Sequence, residues 1–297
     1  MRRLFAFLAV VLFSVTLTFA QGVQSDDDHH DNGPIQAGYA VVTPVVVTTS
    51  VTSGGMTTTV TTSSSGLVVF ETFGLRYDGG ASAIQAGVLP PDLTTNAMLF
   101  VDSEGRLGKN IGVAIVNPNS GNVNVNLTLL KGDGSTAATG MLNVPSHQQV
   151  SKMVTQLFAP GVTIPTDVTG TLLISSTSLP VSVIGLRFRG ANFSTIPATD
   201  LSASNVALPN ITADAGGAGA ILLPQFAAGG GWATELVLIN SGTGPMTVRV
   251  DLFKQQDGMP LSTGLNGKTA SSFIGINIPA GGVVVLAPRD PAGDDDF

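Results

Sequence analysis

The sequence predicts an all-β chain of immunoglobulin-like β-sandwich modules. One complete sandwich lies in the middle, and a second is formed from the N- and C-terminal halves. The first observation behind this is composition. Of 297 residues, 43% are hydrophobic and only 11% are charged, against about 25% charged in an average globular domain. Thirty-six glycines, with abundant Thr, Ser, Val and Asn, fill the difference. Such a mixture favours strands and turns over helices. The second is periodicity: Val123-Asn124-Val125-Asn126-Leu127-Thr128-Leu129 alternates apolar and polar residues, as a half-buried strand must. The third is an internal echo. Gly185-Leu186-Arg187-Phe188 is matched upstream by Gly74-Leu75-Arg76-Tyr77. Val113-Ala114-Ile115-Val116-Asn117 is matched downstream by Leu236-Val237-Leu238-Ile239-Asn240. Half a sandwich leaves an apolar face and strand edges unpaired. The two end segments are therefore expected to meet, within one chain or between chains.

Residues 1–20 read as a secretory signal peptide, with Met1-Arg2-Arg3, an apolar stretch to Phe19 and a small-x-small site at Thr18-Phe19-Ala20. The stretch is short for a membrane span and no basic stop-transfer residues follow it. No membrane span is expected after cleavage. Residues 21–34 form a polar, Asp-rich leader expected to be disordered. The N-terminal half-sandwich covers 35–92, with strands expected at 38–47, in a Val/Thr hairpin over 51–62 broken by Gly54-Gly55, and at 66–73 and 81–89. The central sandwich covers 95–201. Its strands are expected at 97–101, 112–117, 123–130, 139–144, 148–154, 170–175, 181–188 and 193–196, with one short helical turn within 152–158. Seven or eight strands in about 100 residues is the rhythm of an immunoglobulin-like sandwich. An Ala/Gly/Asn-rich linker spans 202–219. The C-terminal half-sandwich covers 220–290, with strands at 220–223, 234–240, 246–253, 272–278 and 282–287 and a long loop at 255–270. An acidic tail, 291–297, ends the sequence.

The repeat extends beyond the two opening motifs. Leu127-Thr128-Leu129-Leu130-Lys131 matches Val250-Asp251-Leu252-Phe253-Lys254, and Leu142-Asn143-Val144-Pro145 matches Ile276-Asn277-Ile278-Pro279. The last segment thus repeats the first half of the middle module, and the first segment repeats its second half. Leu223-Pro224-Gln225-Phe226-Ala227-Ala228-Gly229-Gly230-Gly231-Trp232-Ala233-Thr234, Gly112 to Pro118 and Ala86-Gly87-Val88-Leu89-Pro90 together resemble a tandem β-sandwich repeat module of large bacterial secreted proteins. The resemblance implies a sandwich fold and carries no assigned activity and no catalytic residues. Its motifs are structural: Gly74, Leu75, Arg76, Gly185, Leu186, Arg187, Asn117, Asn240 and Trp232. The chain departs from the family in having Asn240-Ser241 where Asn-Pro is preferred, and in its brevity.

Residue chemistry narrows the function further. The chain has no cysteine, which excludes thiolate metal sites, Cys nucleophiles and disulfide exchange. An exported chain of this size without cysteine fits bacterial export. The sequons at Asn126, Asn192 and Asn210 are then chance matches. The net charge is −7, and loss of Arg2 and Arg3 with the signal peptide makes the mature chain more acidic still. Nucleic acid and anionic membranes, which require a basic surface, are excluded as partners.

Asp26-Asp27-Asp28-His29-His30-Asp31 is the densest set of metal-ligand types, with His29, His30, Asp28 and Asp31 as the weak candidates. A solvated acidic leader explains it better, since an unfolded segment fixes no ligand geometry. His147 is the one histidine outside that leader, and no Gly-x-Ser-x-Gly elbow accompanies it; it reads as a loop residue. Of the three glutamates, Glu71, Glu104 and Glu235, Glu71 and Glu235 are expected to face outward from strands. Asp102-Ser103-Glu104-Gly105 and Asp133-Gly134-Ser135 are oxygen-rich loops without EF-hand spacing and read as ordinary turns. The Gly-rich runs lack phosphate-loop residues. Arg76 and Arg187 recur at one place in the repeat, which implies a shared structural role, either an ion pair or a carbonyl contact at the strand end. No cofactor is expected.

The leading expectation is a non-catalytic secreted or cell-surface protein, extracellular or periplasmic, with a structural, adhesive or scaffolding role. Its partners would be itself, other surface proteins or polysaccharide. A carbohydrate- or ligand-binding module is the first alternative and would cluster Trp232, Tyr77 or Tyr39 on the surface. A strand-exchanged extracellular fibre subunit is the second. An enzyme would need His147 in a cleft beside a carboxylate.

Overall fold

The computed structural model describes residues 40–41, 47–53, 56–62, 69, 71–76, 82–190, 192–202, 221, 223, 225–229, 233–255 and 257–288; for 47–62 and most of 71–85 it describes the backbone alone. The expected signal peptide, the Asp/His leader, residues 203–219 of the expected linker, Tyr39, Tyr77, Trp232 and the acidic tail lie outside the described residues. The chain is all-β, with several antiparallel sheets packed together.

The N-terminal segment holds two hairpins. Strand β1 (Val47–Ser53) pairs with β2 (Met56–Thr62), and β3 (Glu71–Arg76) with β4 (Ser82–Val88). Val/Thr-rich sequence supplies the β-branched residues that suit a strand. The third strand starts at Glu71, later than the expected 66, and Ala40 and Val41 lie outside any strand.

The central segment is a two-layered sandwich. Its strands are β5 (Asn96–Ser103), β6 (Lys109–Asn117), β7 (Val123–Lys131), β8 (Thr136–Val144), β9 (Gln148–Met153), β10 (Val168–Ser176), β11 (Ser182–Arg189), β12 (Asn192–Pro197) and β13 (Thr199–Asp200). One sheet has the order β13-β5-β10-β7-β8 and the other β12-β11-β6-β9. A single 3-10 turn, Val154–Gln156, follows β9. Strand β7 buries every apolar position of its alternating sequence and exposes Asn124 and Asn126. Leu99, Ile111, Ile115, Leu127, Leu129 and Leu172 are wholly or almost wholly buried between the layers. Gly185 is explained by this packing: a Cβ there would lie 2.6 Å from Leu99 Cδ1.

The C-terminal segment holds β14 (Leu236–Ile239), β15 (Met246–Asp251), β16 (Thr263–Leu265), β17 (Lys268–Ala270), β18 (Ser272–Ile278) and β19 (Val283–Leu286). Pairs β14–β19 and β15–β18 enclose a smaller core of Leu236, Leu252, Leu265, Phe273 and Leu286. Ile221 and Leu223 are not in a strand, so the strand expected at 220–223 does not extend through them. The loop expected at 255–270 contains the β16–β17 hairpin instead.

The repeat is visible as shared register. Within the sandwich, Val123 pairs with Val144 and Val125 with Leu142; in the C-terminal segment Met246 pairs with Ile278 and Val248 with Ile276. Ile115 pairs with Val150 as Leu238 pairs with Val284. At the other end, Gly185 pairs with Ile196 and Leu186 with Thr195, as Gly74 pairs with Gln85 and Leu75 with Ile84. Thus β14, β15, β18 and β19 correspond to β6, β7, β8 and β9, and the β3–β4 hairpin to β11–β12. Among the described residues no ladder joins β1–β4 to the C-terminal strands. Both end segments instead meet the central sandwich. Strand β4 lies beside β12, where Thr195 Oγ1 donates to the Gly87 carbonyl at 2.8 Å. Among the described residues no helix is long and apolar enough to cross a membrane.

Candidate functional site at the junction of two units

The densest charged constellation among the described side chains lies where the C-terminal segment meets the sandwich. Asp102 is the next-to-last residue of β5, Lys109 opens β6 and Arg187 lies near the end of β11. A short connection returns β5 into β6, closed by reciprocal bonds between Glu104 and Lys109. Strand ends from both layers therefore converge at one end of the sandwich. Glu235 arrives from the C-terminal segment, immediately before β14.

Lys109 Nζ lies 3.2 Å from Asp102 Oδ2, and Arg187 Nη2 donates to the same oxygen at 3.0 Å. Arg187 also grips Glu235 with both terminal nitrogens, Nη1 to Oε1 at 2.9 Å and Nη2 to Oε2 at 3.2 Å. That two-pronged geometry is the strongest form of carboxylate recognition. The side chains of Lys109, Glu235 and Asp102 are 2%, 4% and 8% exposed, and that of Arg187 is 17% exposed. Two cations and two anions balance, as burial requires. Burial alone would lower the Arg187 pKa; the charges and hydrogen bonds of Glu235 and Asp102 outweigh it and hold the guanidinium above its ordinary value. A group raised in this way contributes its stabilisation below its unfolded pKa and loses it only as pH rises through the folded value. The contribution therefore persists across the neutral range.

Two turns complete the junction. Val283 N–H donates to the Gly132 carbonyl at 2.9 Å. A Cβ on Gly134, whose φ is +82°, would lie 2.0 Å from the Ala280 carbonyl oxygen. A Cβ on Gly281 would lie 3.0 Å from Leu130 Cδ1. The turn after β7 and the turn before β19 thus approach too closely for side chains. Asp133 closes its own turn by accepting from Ser135 N–H and Oγ at 2.9 and 2.6 Å, which holds its carboxyl below the ordinary aspartate value.

The two motif asparagines perform one task in the two copies. Buried Asn117 donates from Nδ2 to the carbonyls of Gly121, Val144 and Pro145 at 2.8, 3.0 and 3.1 Å, and its Oδ1 accepts from Asn119 N–H at 2.9 Å. Buried Asn240 donates to Gly244 and Ile278 at 2.8 and 3.1 Å and accepts from Gly242 N–H at 2.9 Å. Each ties the end of one sheet to a strand of the other. Exposed His147 sits at a positive φ of 52° in the turn between β8 and β9. The corresponding turn of the C-terminal segment has Gly281, at φ +66°. His147 is thus a turn residue in the left-handed region, which histidine tolerates better than most side chains.

Leu186 is buried and Arg187 joins the quartet; Gly74 and Leu75 hold the corresponding register in β3, while the pairing slips by one residue at Arg76, which faces Ser82. Trp232, His29, His30, Asp28 and Asp31 lie outside the described residues. Among the described residues no group of three or more His, Asp or Glu side chains is arranged to hold a metal ion. Glu71 is exposed, as expected. The outward orientation expected of Glu235 is corrected: it points away from its own segment's core, where Leu236 is buried, and into the junction. Asp102, which reads in sequence as part of a turn, is the hub of the quartet, and Lys109 joins it with no sequence motif to mark it. A lone charge beside an apolar run gives no sequence signal of which neighbouring unit covers it.

Comparison with protein-family models, curated proteins and solved structures finds no match.

Proposed function

We propose that the chain is a non-catalytic β-sandwich protein of the cell exterior with a structural, adhesive or scaffolding role. The observation that carries this reading is the buried quartet of Lys109, Asp102, Arg187 and Glu235 between two units of a repeat. Four ionisable groups are placed where they fix one sandwich against the next, with their charges balanced inside the protein. A chain that holds its successive units in one orientation suits a rod or spacer. The signal-like start and the resemblance to tandem modules of bacterial secreted proteins support an exported location.

The test is a titration of the mature chain, residues 21–297, with cell-wall and capsular oligosaccharides, together with a panel of ester, glycoside and peptide substrates. The reading expects no saturable change in Trp232 fluorescence and no turnover that depends on His147. Hydrolysis abolished by His147→Ala, or saturable oligosaccharide binding, would replace it with an enzyme or a ligand-binding module.

A further inference from the structure

We infer that the C-terminal half-module of one chain is completed by the N-terminal hairpin of a second copy, with β14 pairing antiparallel to the partner copy's β3 in the register of β6 with β11. This deepens the structural role proposed above and rests on it. In the sandwich, β6 lies between β9 and β11, and Val113 faces Gly185 while Ile115 faces Val183. In the C-terminal segment β14 has β19 as its counterpart of β9, and among the described residues its other edge carries no strand. Strand β3 is the counterpart of β11, and among the described residues it pairs on one side only, with β4.

Transferring the register places Leu236 opposite Gly74 and Leu238 opposite Thr72. A glycine again falls at the position where a Cβ would strike the opposing sheet in the complete module. The burial values mark the same vacancy. Ile115, Val125 and Leu127 are 1% exposed or less, whereas the corresponding Leu238, Val248 and Val250 are only half-buried. Thr72 is exposed where Val183 is 1% exposed.

The occupant is a second copy because each half is already docked within its own chain at a different part of the sandwich. Strand β4 lies along β12, and the C-terminal segment sits on the quartet and the turn after β7. No described ladder links them. Pairing between unlike ends of identical chains is heterologous and continues head to tail, with main-chain hydrogen bonds as the adhesive element.

The absence of native cysteine makes a cross-linking test clean. Thr72→Cys and Leu238→Cys chains, mixed and oxidised, should give a disulfide-linked dimer, because directly opposed strand residues fall within bonding distance. Phe73→Cys mixed with Leu238→Cys should remain unlinked, since a one-residue slip turns the side chain to the other face. Light scattering of the unmodified mature chain should show mass growing with concentration. An intramolecular disulfide in the Thr72→Cys/Leu238→Cys double variant at high dilution would overturn the inference, as would a concentration-independent monomer with no cross-link. Either result leaves the structural role intact, whereas turnover or ligand binding would remove that role without altering the cross-linking pattern.

Discussion

Asn117 and Asn240 show what a repeat preserves at the scale of one residue. Each is wholly buried, and each carries an amide whose donors and acceptor are consumed by backbone groups of the adjoining turn and of a strand in the opposite layer. The copies differ in reach. Asn119, which bonds to Asn117, also donates from Nδ2 to the Pro180 carbonyl at 2.9 Å; Gly242 has no side chain with which to do so. Removing either amide strands buried carbonyls, at about 1–3 kcal/mol for each unsatisfied group. Asn117→Ala should therefore lower unfolding stability by about 3 kcal/mol or more, and Asn240→Ala by about 2 kcal/mol, in urea unfolding of residues 21–297. Equal small losses would show that the two amides are exchangeable with water.

At the scale of the element, the C-terminal segment differs from its counterpart by the β16–β17 hairpin. Its turn is Leu265-Asn266-Gly267-Lys268, with φ of 48° at Asn266 and +74° at Gly267. Two consecutive positive φ values are the geometry for which Asn-Gly is preferred in a tight hairpin. Asn266 then braces the hairpin on β19, donating from Nδ2 to the Val285 carbonyl at 2.7 Å and accepting from Ala287 N–H at 3.0 Å. Asn266→Ala should cost about 2 kcal/mol, from the lost bonds and the strained turn. It should also speed amide exchange at Ala287, whose N–H loses its acceptor, while leaving the central strands protected. Uniform exchange across the chain would contradict that locality. The Asn-Gly pair was readable in the sequence, but the long loop around it hid its flanking strands, which are three residues each. The central strands were legible because their apolar positions alternate over long runs. Glu235 and Lys109 were not, because their burial comes from a neighbouring unit and leaves no period in their own strand.

At the scale of the molecule, the junction decides whether the chain behaves as one body or as units on a string. The interlocked glycine turns fix distance, and the quartet fixes orientation. A buried ion pair broken on one side leaves an uncompensated charge, costing about 3–5 kcal/mol. Arg187→Met strands Glu235 and leaves Asp102 with Lys109 alone, whereas Arg187→Met with Glu235→Met removes the stranded carboxylate and should recover part of the loss.

The most direct measurement is differential scanning calorimetry of residues 21–297, unmodified and as Arg187→Met. The account predicts that the central sandwich and C-terminal segment unfold in a single cooperative transition. In Arg187→Met that transition should split, with the C-terminal segment melting first. Two independent transitions in the unmodified chain, unchanged by Arg187→Met, would contradict the claim that the quartet joins successive units into one rigid body.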